Sequence, residues 1–142
     1  VIHTDRLDHI ATHGTGRLPR RIRFTDDAVI SVHAGYGAYC TPRPRDRMVH
    51  EGGMGTAPAD YPGPYAALEV FLVEPLAVSA DWAQYSADED PTVGLFAAVP
   101  VDLVRALVVE HGGEHIAQDS GDDAMKALAE GMAGDVLGWS AP

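Results

Sequence analysis

The sequence predicts one α+β domain: a small, mostly antiparallel sheet of about four strands, with two helices from the C-terminal half packed on one face. Three features carry this expectation. "RIRFTDDAVISVHAG" places alternating apolar residues on either side of an Asp-Asp turn. Two further β-rich runs, "AALEVFLVE" and "VGLFAAV", lie in the middle of the chain. "VDLVRALVVEH" then carries a broad apolar helical face. Strands dominate the middle and helices the end, which is not the alternation of a doubly wound sheet.

Taken in order, "HTDRLDHIATHG" suits a short helix with Leu7, Ile10 and Ala11 on one side, ended by Gly14 and Gly16. The hairpin follows, with strands near residues 20–25 and 28–34. Ile22 and Phe24 point inward, while Arg21 and Arg23 share the opposite face. Gly35 and Gly37 suggest a bulge, beyond which Tyr36 and Tyr39 extend the strand. Residues 41–65 hold five prolines and four glycines and read as a long irregular loop. Strands are expected at 66–74 and 93–99, with a turn at Asp81 carrying Trp82 and Tyr85. Pro100 opens a helix over 101–111, where its missing N–H is tolerated. A second helix is expected over 122–139, with acids in its first turn.

The 142 residues, 46% of them hydrophobic, suffice for one core without crosslinks. The single cysteine, Cys40, forms no internal disulfide, and no apolar run reaches the roughly 18 residues of a membrane span. A soluble cytoplasmic protein without a membrane partner is expected. The net charge is −11, unevenly spread. Residues 1–47 hold eight arginines against five aspartates, a net +3, and residues 48–142 hold two cations against sixteen acids, a net −14. That balance argues against extended nucleic acid as a ligand.

Among short motifs, "HGGEH" at 111–115 matches the H-x-x-E-H pattern of one class of zinc peptidase. Its two glycines sit inside the motif, where a helix would have to continue, and directly after a helix that needs a stop. A glycine cap explains them better. His9 and His13, at i and i+4, could share a metal on a helix, but lack the intervening Glu, so neither metal nor cofactor is expected. Cys40 reads as a small buried hydrophobe rather than a nucleophile. The arginines are the more informative group. Arg43, Arg45 and Arg47 alternate in a stretch kept extended by proline, and with Arg21, Arg23, Tyr36 and Tyr39 they could form a face for an anionic small molecule or an acidic protein surface. The alternative fate of these arginines is pairing with the chain's own acids.

The stretches "GYGAYCTPRP", "GPYAALEV" and "VGLFAAVPVDLVRALVVEHGG" resemble a set of short uncharacterised proteins from actinobacteria and their phages, over roughly residues 29–113. The resemblance implies a small, phage-related α+β protein and transfers no activity or site residue. The leading expectation is a non-enzymatic binding or interaction module built on the arginine face. The first alternative is a small hydrolase of a phosphorylated or nucleotide substrate, with His33 or His50 as general base. The second is a structural subunit of a phage or other assembly, and a homo-oligomer is compatible with either.

Overall fold

The computed structural model describes residues 2–45, 57–87 and 94–118. The elements run α1 (Asp5–His13), β1 (Arg20–Arg23), β2 (Val29–His33), β3 (Pro44–Arg45), β4 (Ala57–Pro58), β5 (Ala67–Leu72), a 3-10 turn (Ala80–Tyr85), β6 (Gly94–Pro100) and α2 (Val101–Glu110). Four strands form an antiparallel sheet in the order β1-β2-β5-β6. The expected long loop contains a two-residue parallel pairing of β3 with β4, and residues 46–56 lie outside the described residues.

The first hairpin turns where the aspartates predict. The Asp27 N–H bonds to the Phe24 carbonyl, and the Phe24 N–H to the Ala28 carbonyl. Asp27 takes φ 73°, which Asp tolerates better than most residues. The Asp26 carboxylate accepts the Ala28 N–H. This is a three-residue hairpin loop, whose geometry suits the twist of the flanking strands.

The inward residues of the sheet, among them Ile22, Ile30, Val32, Leu68, Val70 and Phe96, join Leu7 and Ile10 of α1 and Val104, Leu107 and Val108 of α2 in one buried cluster. Both helices therefore cover the same face. Trp82, on the 3-10 turn, meets Phe96 edge-on at 5.2 Å and closes the core beside β6. The expected helix over 101–111 is α2. The one expected over 122–139 lies outside the described residues, and the second helix on the core face is α1, from the N-terminal end.

Two details differ from expectation. The strand does not continue to Tyr36 and Tyr39, because Gly35 and Gly37, at φ 144° and 89°, turn the chain out of the sheet. And "HGGEH" does more than stop α2. The Gly112 N–H bonds to the Val109 carbonyl and the Gly113 N–H to the Val108 carbonyl, a Schellman cap with both glycines at positive φ. The chain then runs along the outer edge of β1, with the Thr25 N–H on the Gly113 carbonyl and the His115 N–H on the Arg23 carbonyl. Gln118 pairs with both backbone groups of Arg23, at 2.9 and 3.0 Å. The Glu114 carboxylate accepts the N–H groups of Arg6 and Leu7, at 2.9 and 2.8 Å. Thr4, at the N-cap position, makes no side-chain cap bond. Glu114, over a hundred positions away in the chain, thus caps α1 instead.

Candidate functional site

With both helices on one face, the other face of the sheet is open among the described residues. Cross-strand pairing sets its composition. Arg21 pairs with Ser31, Ser31 with Phe71, and Phe71 with Leu95, so one row crosses all four strands. Arg23 lies two residues from Arg21, opposite Val29. Phe71 is 46% exposed and Val73, two residues on, is 41% exposed. Beside Phe71 lies a recess of about 230 Å³ lined by Pro19, Ser31, His33, Glu69, Phe71 and Leu95. The face therefore has an apolar centre and an arginine-bearing edge.

At one end of this face His33 meets Glu69. The His33 Nδ1 is 3.7 Å from one Glu69 oxygen, its Nε2 is 3.1 Å from the Gly16 carbonyl, and the second Glu69 oxygen accepts the Tyr39 N–H at 2.9 Å. Burial pushes the Glu69 carboxyl up, but the bonds from His33 and the Tyr39 amide outweigh it and hold the group below the usual glutamate range. Both ring nitrogens of His33 have protein partners, so neither is directed at a substrate as a general base requires. The other candidate base, His50, lies outside the described residues.

The described arginines expected to converge each have partners within the chain. Arg23 donates through Nε to Asp27 at 2.9 Å, on the edge of the open face. Arg43 stacks over Tyr39 with its guanidinium 4.7 Å from the ring centroid. Arg45 donates to the carbonyls of Pro44 and Ala38, at 2.8 and 3.1 Å. Arg47 lies outside the described residues. Arg17 stacks over Tyr36 at 4.1 Å. The pairing of Arg17 with Tyr36 was not legible, because it depends on the turn at Gly35 and Gly37.

The remaining candidates have structural duties. The His9 and His13 rings tilt against each other at 4.7 Å, and no group of three His, Cys, Asp or Glu among the described residues is placed to hold a metal. Cys40 is fully buried, and burial pushes its thiol up, away from the nucleophilic thiolate. The His111 Nδ1 contacts the Asp26 carboxylate. A cleft of about 560 Å³ at the start of α1 is lined by His3, Arg6, His9, Arg20, Glu114 and His115, among others. Its polar groups serve the fold: Glu114 caps α1, the His115 Nδ1 accepts the Ala117 N–H, and the Arg6 Nε donates to the Arg21 carbonyl.

The chain matches no known protein family, no curated protein and no solved structure. The geometry of its faces and clefts is thus the whole basis for a functional reading.

Proposed function

We propose that this protein is a binding module whose open sheet face docks a partner protein with an apolar centre and an acidic margin. The observation that carries this is the row Arg21–Ser31–Phe71–Leu95, which crosses the sheet with Phe71 46% exposed. Aromatic and arginine side chains are the residues most enriched in protein interfaces, and a buried aromatic anchor supplies much of their energy. The recess of about 230 Å³ beside Phe71 has room for one aliphatic or aromatic side chain of the partner. The arginines on β1 call for carboxylates opposite, and Arg23 already holds one in Asp27.

The test is capture from a cell lysate by the wild-type chain, by Phe71→Asp, by the double variant Arg21→Glu/Arg23→Glu, and by Glu110→Gln on the exposed side of α2 as control. A protein held by wild type and control, and lost from the other two, supports the face. With that protein purified, Phe71→Asp should weaken binding by roughly 30-fold, about 2 kcal/mol. Captured proteins that are retained by both variants would overturn the reading. A concentration-dependent dimer that Phe71→Asp dissociates would assign the face to a second copy of this chain. Residues 119–142 carry five acids among Met125, Leu128, Met132 and Trp139. Capture seen only with a chain ended after Gln118 would assign the face to that segment instead.

A further inference from the structure

A second cleft, sharing no lining residue with the recess on the open face, lies where the end of α1 meets the loops after β2 and β4. It holds about 340 Å³ and is walled by Tyr36, Tyr61 and Tyr65, three of the five tyrosines, with His13, Arg17 and Asp60 at its mouth. We propose that this cleft binds a planar aromatic ligand carrying a negative group, of the nucleoside monophosphate class.

The walls are held by bonds within the chain. The Tyr61 hydroxyl donates to the Pro64 carbonyl and the Tyr65 hydroxyl to the Tyr61 carbonyl, each at 2.9 Å. The two rings meet edge-on at 5.4 Å. With both hydroxyls bonded to backbone, Tyr61 contributes its ring to the wall, and Tyr65, 5% exposed, backs that ring from the core. The surrounding loops touch through backbone. A Cβ on Gly35 would stand 2.3 Å from the Gly16 carbonyl oxygen, and one on Gly63 would stand 2.1 Å from that of Thr12. The Thr15 N–H donates to the Ala34 carbonyl at 2.7 Å. Loops drawn together this closely by glycine, around a cleft lined by aromatic rings, form a preorganised stacking site.

The polar groups at the mouth set the ligand's chemistry. The Arg17 guanidinium lies 4.1 Å from the Tyr36 ring centroid, and that stack is its one polar or ring contact among the described residues. A guanidinium held by its face keeps its N–H edge for a phosphate or carboxylate. The His13 imidazole supplies a second N–H donor. Asp60 supplies an acceptor for the ring amino or ribose hydroxyl groups of a nucleotide. Stacking on one aromatic side chain is worth about 1–3 kcal/mol per base, and the cleft's volume sits near the small end of ligand sites. One nucleotide fits that scale, and the −11 net charge disfavours a longer polyanion.

The experiment titrates the four nucleoside monophosphates, adenosine and inorganic phosphate into the full chain, read by calorimetry and by amide NMR shifts. At least one monophosphate should bind with a Kd below ~1 mM, and at least ~10-fold more tightly than its nucleoside or phosphate alone. The amide shifts should centre on Gly16, Arg17, Gly35, Tyr36 and Tyr61. Arg17→Ala and Tyr36→Ala should each weaken binding at least ~10-fold, with thermal melting showing both variants folded. Absence of binding by all four at ~5 mM, equal binding of nucleoside and nucleotide, or shifts confined to the cleft around His3 and His115 would each overturn the proposal. Because the shifts are read on the wild-type chain, an unfolded variant leaves the test intact.

Discussion

Glu114 shows how one side chain can hold two ends of the chain together. It is 5% exposed, and it joins the segment after α2 to the start of α1 through two backbone N–H bonds. Burial, reinforced by the charges of Asp5 and Asp8, pushes its carboxyl above the usual glutamate range against the pull of the two amides. The folded chain therefore holds this proton more tightly than the unfolded chain does. The group's contribution to stability is greatest at low pH and falls as pH rises from the ordinary glutamate range through the raised folded value. Asp26 runs the opposite way. Its hydrogen bond with His111 holds it below the ordinary range, so its contribution is present at neutral pH and lost as pH falls through the folded value. Two variants separate cap from charge. Glu114→Ala strands both N–H groups and should cost about 2 kcal/mol. Glu114→Gln keeps one acceptor oxygen and should cost less. Urea midpoints across about pH 4–8 should show the wild-type advantage over Glu114→Gln shrinking as pH rises. An advantage that grows with pH would mean that the two amide bonds outweigh the burial.

At the scale of elements, the sheet was largely legible in the sequence and the way its surfaces are closed was not. The hairpin, β5, β6 and α2 each carry their own signal: alternation about Ile22 and Phe24, the aspartate turn, the apolar runs, and the stripe of Val104, Leu107 and Val108. Strand order was legible only for the β1–β2 hairpin, because long connections separate β2 from β5 and β5 from β6. The edge cover at residues 113–118 carried no signal, because it rests on backbone bonds to Arg23 and Thr25 that the order of residues does not specify. The tyrosine cleft was hidden for a related reason. Tyr36 was visible as part of a ligand face, and Tyr61 and Tyr65 lay in the expected loop over 41–65, but their meeting depends on glycines that admit close backbone approach. Gly63 tests that account. It has φ +103° and would set a Cβ against the Thr12 carbonyl, whereas Gly37, at φ +89°, has nothing within 4 Å. Gly37→Ala carries backbone strain alone and should cost about 1 kcal/mol; Gly63→Ala adds the clash and should cost more than about 2 kcal/mol, a Tm fall of roughly 5–10 °C. Equal losses would show that the approach to Thr12 does not hold the loop on α1. Phe71→Asp gives the contrast on the open face: it loses part of the ring's burial and sets a poor strand residue on a central strand, and should cost about 1 kcal/mol without unfolding the chain.

For the molecule as a whole, charge is the dominant uncompensated property. A net charge of −11 on 142 residues repels itself in the compact state. Several of the ion pairs that oppose this repulsion lie largely in water. Arg105 pairs with Asp8 and with Asp102 but is 37% exposed, and Arg23 pairs with Asp27 at the same exposure. Pairs so exposed contribute about 0–1 kcal/mol each. Salt screens both effects, but not equally. At about 0.15 M the screening length is ~8 Å, longer than a contact pair and shorter than most distances among like charges spread over the surface. Repulsion is therefore lost first. The Tm should rise by a few degrees between ~20 mM and ~0.3 M sodium chloride at neutral pH, with sodium fluoride giving the same rise if the effect is screening rather than anion binding. A Tm that falls with salt would mean that the local pairs, Arg105 with Asp8 above all, outweigh the global repulsion. Arg105→Ala would then abolish the fall. The same screening bears on the open face. Capture that depends on Arg21 and Arg23 should weaken over this salt range while the stability of the fold increases, so binding and folding respond to salt with opposite sign.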